Sequence, residues 1–444
     1  MVPSEEDGGD EDDLDLARDS LPPEPRDAIP LKLEKLFPWH RPRKQKVRQD
    51  QWVGLANTLI ERLKSQNLLV GRDILLPDGT RVYQPPEIRY LTLPGLDYLD
   101  VRLIGEMCAS KECSLTSVGF ISDAHHAPLM ARARVRETGL IQAGYITDTS
   151  VTFPRSFESI CGTDGATLKE LKRRAPFHVV NIDACGSIAP ARAEHSGRMI
   201  DAIYRLIELQ LSRASHRWLF FLTVDVRDGD MDAHTFQSLC DAIRENARQS
   251  AEFQAAAISM FKSDAAAIDE AIEFARGKGG RPLLDLFSLG FAKWLLHLAQ
   301  QKQWSVKLKK SHCYSTRPMD NPEPSMCSLA FEFVPPTVGL LDPFGVTRQR
   351  PSPGEAPPEP SMQMLAATAE IDDLDALLDR DAELSAALNG ATHALLSEIG
   401  YETGALAPLM EPAVVGQPTP PHRFPDLLDR SQEPPRTFPE VTLD

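Results

Sequence analysis

No hydrophobic run in these 444 residues approaches the length of a bilayer crossing. The longest, such as Trp218 to Val224, are only strand-sized. The acidic start, Met1-Val-Pro-Ser-Glu-Glu-Asp7, has none of the apolar core of a secretory signal, so a cytoplasmic protein with no membrane association is expected. Cysteine is scarce: seven residues, an odd number, lie scattered from Cys108 to Cys327 with no C-x-x-C pair. That pattern excludes a disulfide framework and a paired-cysteine zinc site, and it suits buried thiols in a reducing compartment. His125-His126 makes no metal site, because adjacent side chains point apart and no third ligand follows at metal spacing; no metal is expected. Positive charge is also short. A net charge of −16 excludes a uniformly basic nucleic-acid binder, although it conceals strong local asymmetry.

What is present suits a sizeable core. Apolar residues make up 42% of the chain, and the length allows about three domains or one large α/β domain with appendages. Residues 1–27 are dominated by Asp, Glu, Gly and Pro, a composition that cannot bury enough surface to offset ordering entropy, so a disordered acidic arm is expected. Residues 28–84 form a basic extension. In Leu36-Phe-Pro-Trp-His-Arg-Pro-Arg-Lys-Gln-Lys-Val-Arg48 the charge reverses, and a helix beyond Pro42 carries Trp52, Leu55, Leu59 and Leu63 on one face. Leu76-Pro-Asp-Gly79 then signals a hairpin.

The chain is organised around Ile88-Arg-Tyr-Leu-Thr-Leu-Pro-Gly-Leu-Asp-Tyr-Leu-Asp100. Its first half alternates as a strand, Pro94-Gly95 breaks it, and a helical pattern runs on through Tyr98, Leu99, Val101, Leu103, Ile104 and Met107. A strand, a tight turn and a helix open a doubly wound α/β domain, where the helix N-terminus presents free N–H groups to a ligand. Further strands are predicted at 115–121, 145–153, 177–182 and 217–224. The last is apolar nearly throughout, as a parallel sheet covered on both faces requires. After a helical region from Phe236 to Gln300, strands from Trp304 towards Tyr314 and at 328–334 close the sheet as an antiparallel hairpin. The expected fold is therefore α/β, doubly wound, with a mostly parallel seven-stranded sheet over a core of residues 85–336. Residues 337–444 read as a Pro-rich acidic tail with one helical island at about 362–399 that docks or frays.

Five βα steps followed by an antiparallel hairpin resemble the class I S-adenosylmethionine-dependent methyltransferases, over roughly residues 85–336. The resemblance implies that the turn after the first strand, Leu93-Pro94-Gly95 with Asp97 beyond it, holds the methionine end of S-adenosylmethionine. It places Asp123, ending the second strand, on the ribose hydroxyls, and Asp183, ending the fourth, at the reactive sulfonium as the catalytic residue. The turn departs from the family in having one glycine where two or three are usual. Asp183-Ala-Cys-Gly186 also lacks the Asp/Asn-Pro-Pro-aromatic signature of amino-methylating nucleic-acid enzymes. The basic preface joined to this core resembles proteins encoded among bacterial antiphage defence genes.

Each residue also has a plainer reading. Pro94-Gly95 can be a turn without a ligand; Asp123, Asp183 and Asp225 can cap helices or satisfy loops; Cys185 reads as a buried thiol. The segment Trp39, His40, Arg41, Arg43, Lys44, Lys46 and Arg48 can contact DNA or RNA phosphates, form a solvated face, or pair with the chain's own acids at 5–15. Two functions compete: a methyltransferase acting on a nucleic acid or nucleotide-like substrate, and a degenerate domain that binds nucleic acid or protein partners, the latter through the acidic tail. Asp183 is expected to face a solvent-filled crevice, so that its replacement by Asn affects function and not stability.

Overall fold

Alternation along the predicted strands sets the architecture of the computed structural model, which describes residues 40–122, 127–162, 165–184, 186–190, 198–316, 323–336 and 360–401. The chain enters as a short helix α1 (Pro42–Lys46), a π-helical segment (Val47–Val53) and α2 (Gly54–Ser65). Asp78-Gly79 then turns a hairpin of β1 (Arg72–Leu75) and β2 (Arg81–Gln84), a separate two-stranded sheet on the surface.

The main sheet starts with β3 (Glu87–Thr92), followed by α3 (Leu99–Ser110), β4 (Ser114–Phe120), α4 (Ala127–Gln142), β5 (Val151–Phe153) and α5 (Ala166–Arg174). The second half runs through β6 (Val179–Asp183), α6 (Met199–Arg213) and β7 (Trp218–Asp225). Four helices follow, α7 (Ala233–Gln249), α8 (Ala251–Met260), α9 (Ile268–Lys278) and α10 (Gly280–Gln300). The chain then forms β8 (Ser305–Leu308), β9 (His312–Tyr314) and β10 (Met326–Val334). Among the described residues the sheet has nine strands, in the order β11-β9-β10-β7-β6-β3-β4-β5 with β8 also on β10; β11 is Asp372–Asp373. The strands from β5 to β7 are parallel, and β10 runs antiparallel to β7, β8 and β9.

This is a mixed α/β, mostly parallel, Rossmann-like sheet, with two differences from expectation. The edge hairpin is split, because β8 and β9 each take part of the length of β10, and a two-residue strand from the C-terminal region joins beyond them. The count is therefore nine, not seven.

Period-2 alternation explains how the strands are covered on both faces. In β7, Phe220, Leu222 and Val224 join one buried cluster, with α6 and α7 to α10. Leu219 and Phe221 join the other, with α2, α3 and α4. In β6, Val180 and Ile182 face the first cluster and Val179 the second.

The described parts of both extensions pack against this body. Trp52, Leu59 and Leu63 are buried as the helical spacing predicts. Gln51 Nε2 donates to the carbonyls of Lys310 and Ser328, and Arg62 reaches the buried Glu332 on β10 at 2.6 Å. The helical island is three helices, α11 (Pro360–Ala369), α12 (Leu374–Arg380) and α13 (Ala382–Glu398). It docks by burying Leu374, Leu378, Leu388, Leu395 and Leu396. No helix among the described residues is long and apolar enough to cross a membrane.

Candidate functional site

The order in which strands are added to the sheet reverses between β3 and β6: β4 and β5 lie to one side of β3, and β7 lies beyond β6. In an open α/β sheet the crevice outside the carboxyl ends at such a switch point is where a ligand binds. A cavity of about 750 Å³ occupies that place. Its wall includes Pro94, Gly95 and Asp97 after β3, Ile121 and Ser122 after β4, and Asp183 after β6. Arg48 and Trp52 from the N-terminal extension and Tyr401 from the C-terminal one complete it.

The turn is shaped by two left-handed residues, Gly95 at φ 61° and Tyr98 at φ 51°. A β-carbon on Gly95 would meet no heavy atom within 4 Å, so the glycine answers the backbone conformation while leaving the cavity open beside it.

Three carboxylates define the electrostatics. Asp97 receives His40 Nε2 at 3.1 Å, the Tyr401 hydroxyl at 3.1 Å to either oxygen, and the Arg132 guanidinium. Burial pushes its carboxyl up, but the hydrogen bond from His40 and the charge of Arg132 outweigh this and hold it below the usual range. Asp100, in the first turn of α3, is buried at the cavity wall and accepts from Tyr90 at 2.7 Å, from Thr92, and from Asn181 at 3.4 Å. Burial raises its carboxyl despite those donors. Asp183 is paired with Lys44, whose Nζ is 2.6 Å from Oδ1 and 4.6 Å from the centroid of the Trp52 ring.

The basic segment is consequently not a solvated face. Arg43, Lys44 and Arg48 are buried, and their charges are met by the protein's own acids: Arg43 by Asp375, Lys44 by Asp183, and Arg48 by the field of Asp183 and Asp100. Lys46 pairs with Asp50 at 2.7 Å, and Arg41 is half-buried. Asp183 lines the cavity, as a residue of the crevice should, and is there partly buried and paired with Lys44. Of the predicted residues, Pro94, Gly95, Asp97, Asp183 and Arg48 line the cavity, while His40 and Lys44 bond to Asp97 and Asp183 without lining it themselves. Asp123, Trp39, Cys185, His125 and His126 lie outside the described residues.

Sequence reasoning missed Asp100, Asn181, Arg132 and Tyr401. A signal existed for the first: Tyr90 and Thr92 alternate on one side of β3 and both reach Asp100. Tyr401 and Arg132 gave none, since their partner Asp97 is remote in sequence from both.

The strand order, the antiparallel β10 and the cavity at the switch point together define a Rossmann-like domain. The chain belongs to the PP_RS20740-like family, whose model matches residues 33–411, a span that reaches from the N-terminal extension through the C-terminal helical island. No curated protein matches the sequence. Solved structures with some likeness include an rRNA methylase from Streptococcus thermophilus, at 8% identity and TM-score 0.26, over 56% of this chain and 88% of that one. A candidate rRNA methylase from Clostridium thermocellum matches at 7% identity and TM-score 0.25, over 55% of this chain and 88% of that one. A candidate transferase from Pyrococcus horikoshii matches at 7% identity and TM-score 0.23, over 56% and 58% of the two chains.

Proposed function

We propose that the protein is an S-adenosylmethionine-dependent methyltransferase-like enzyme whose acceptor is a small, nucleotide-like molecule. The observation that carries this reading is the cavity of about 750 Å³ at the switch point, with Gly95 open to it on one side and Asp183 on the other. Its volume lies in the range of sites that enclose a drug-sized ligand. Its wall offers the turn at Pro94-Gly95, the carboxylates of Asp97 and Asp183, and apolar surface from Trp52 and Phe120.

The cofactor, when bound, supplies a methyl group on a positively charged sulfonium. The turn at Pro94-Gly95 with Asp97 would hold its amino-acid end. Asp183 orients the acceptor and takes up the proton that the acceptor loses. Arg48 and Trp52 from the N-terminal extension form part of the same wall. A polymer is the poorer acceptor, because the cations of the basic segment are turned towards the protein's own acids and the segment covers the site.

The second reading, a degenerate domain that binds a partner and transfers nothing, is favoured by one specific observation. Both oxygens of Asp97 are already engaged by His40, Arg132 and Tyr401, where a ligand's ammonium would need them. A place in antiphage defence rests on the resemblance of the basic preface and core, and loss of phage resistance on Gly95→Asp in expressing cells would test it.

The two readings separate in a thermal unfolding experiment. Under the first, S-adenosylmethionine and S-adenosylhomocysteine both raise the melting temperature in a concentration-dependent way, by RT ln(1 + [L]/Kd). Under the second, neither moves it.

A further inference from the structure

Four acids line the cavity, and they differ in what meets their charge. Asp97 has the Arg132 guanidinium, and Asp183 has the Lys44 ammonium at 2.6 Å. Glu158 is only half-buried, so water screens it. Asp100 is 6% exposed, yet among the described residues no cation forms an ion pair with it. Its side-chain donors are all neutral: the Tyr90 and Thr92 hydroxyls and the Asn181 amide. All three reach the same oxygen, Oδ2. Oδ1 takes none of these bonds and is the oxygen left for a ligand in the cavity that Asp100 lines. A buried charge is ordinarily paired or neutralised. Burial raises the Asp100 carboxyl and the charge of Asp183 adds to the rise, against the hydrogen bonds from Thr92 and Tyr90. Arg48 shares the wall, but the field of Asp183 acts on it ahead of that of Asp100. A cation held in the cavity would supply the partner that the wall does not.

We propose that Asp100 is a specificity-determining residue, whose carboxylate selects the positively charged sulfonium of S-adenosylmethionine over the neutral thioether of S-adenosylhomocysteine. The inference rests on the S-adenosylmethionine reading above. It leaves Asp97 with the amino-acid end and Asp183 with the acceptor. The two ligands differ only in one methyl group and the charge that it brings to sulfur. Both carry the same ammonium, so a residue that holds the amino-acid end cannot tell them apart, whereas an uncompensated carboxylate towards the sulfur can. The ligand that has lost its methyl group then also loses its hold on Asp100 and leaves more readily than the ligand that carries one.

The test is calorimetric titration of the full chain, wild type and Asp100→Asn, with each of the two ligands, alongside a thermal melt of each protein. The substitution keeps an oxygen for Tyr90 and Thr92 and removes the charge. The wild type should bind S-adenosylmethionine about tenfold or more tightly than S-adenosylhomocysteine, and in Asp100→Asn the ratio should fall to about one with S-adenosylhomocysteine affinity retained. Three results overturn the proposal: the wild type binds both ligands equally or prefers S-adenosylhomocysteine, the ratio is unchanged in an Asp100→Asn protein that melts cooperatively, or that variant loses both ligands alike. In each of these cases a ligand still binds the wild type and the S-adenosylmethionine reading stands. If neither ligand binds the wild type, that reading fails and the proposal with it. The wild-type ratio decides the matter even if the variant does not fold.

Discussion

The hydroxyl of Tyr401 lies 3.1 Å from each carboxylate oxygen of Asp97, a contact that spans 304 positions of the chain. It ties the end of the C-terminal helices to the turn that opens the sheet. His40 meets the same carboxylate and packs its ring edge-on against Tyr401, with centroids 5.7 Å apart. Both extensions therefore close on one residue of the cavity wall.

Tyr401→Phe keeps the ring and removes the donor. The expected cost is about 1 kcal/mol, or roughly 2–4 °C in the melting temperature for a domain of this size. Deleting residues 360–401 should do much more, since it uncovers the buried faces of Leu374, Leu388 and Leu395. Circular dichroism melts should show a lowered transition for the first change and lost cooperativity or insolubility for the second. A sharp, unshifted melt after the deletion would mean that the island contributes nothing to the fold.

Asp183 and Val180 lie three positions apart with different duties. Val180→Asp buries an unpaired charge in the middle of β6 and should cost several kcal/mol, preventing soluble expression. Asp183→Asn leaves Lys44 buried opposite a neutral amide, at a cost of about 2 kcal/mol. The double change Lys44→Met with Asp183→Asn should recover part of that loss, because no charge is then left unpaired. Denaturant titrations of the four proteins measure the coupling, and additive losses would show that the pair does not interact.

Glu106 on α3 makes stability depend on pH. It lies 3.3 Å from Arg102, which also reaches Glu398 on α13 at 3.4 Å. Burial pushes its carboxyl up to about 7, with Arg102 opposing the rise and Glu398 adding to it. Above its ordinary carboxylate value the folded protein keeps a proton that the unfolded chain has released, so stability falls as pH rises towards about 7. Glu106→Gln should remove that fall, leaving the variant more stable than wild type by on the order of 2 kcal/mol at about pH 8. Unfolding curves across that pH range check it; parallel pH profiles for the two proteins would contradict it.

The inward basic segment gives a fourth expectation. A duplex bound through five cations would show an affinity falling with salt by about 0.9 log unit per phosphate contact. With Arg43, Lys44 and Arg48 buried and met by the protein's own acids, the slope should be near zero, and replacing the three with Gln should lower stability instead. Fluorescence anisotropy of labelled DNA and RNA at several salt concentrations measures the slope. A steep slope that flattens in the Arg41→Gln and Lys46→Gln variants would restore a nucleic-acid interface.

The central strands were legible because their signal is local: Phe220 to Val224 is apolar at every position but one, and only a sheet covered on both faces asks for that. Asp78-Gly79 marked its hairpin for the same reason. The basic segment was not legible as part of the site. Its acids lie 57, 139 and 332 positions away, at Asp97, Asp183 and Asp375, and local composition carries no trace of such partners. The split edge of the sheet was equally hidden, since three- and four-residue strands are shorter than any periodicity can report.

The most direct test of a nucleoside-sulfonium site at the turn after β3 is calorimetric titration of wild type and Gly95→Asp with S-adenosylhomocysteine, alongside a thermal melt of each. Aspartate tolerates the left-handed backbone at a cost of about 1 kcal/mol, and its side chain enters space where a β-carbon meets no atom within 4 Å. The account predicts saturable one-to-one binding to the wild type and none to a Gly95→Asp protein that still melts cooperatively. Absence of binding to the wild type, or equal binding to both, would contradict it.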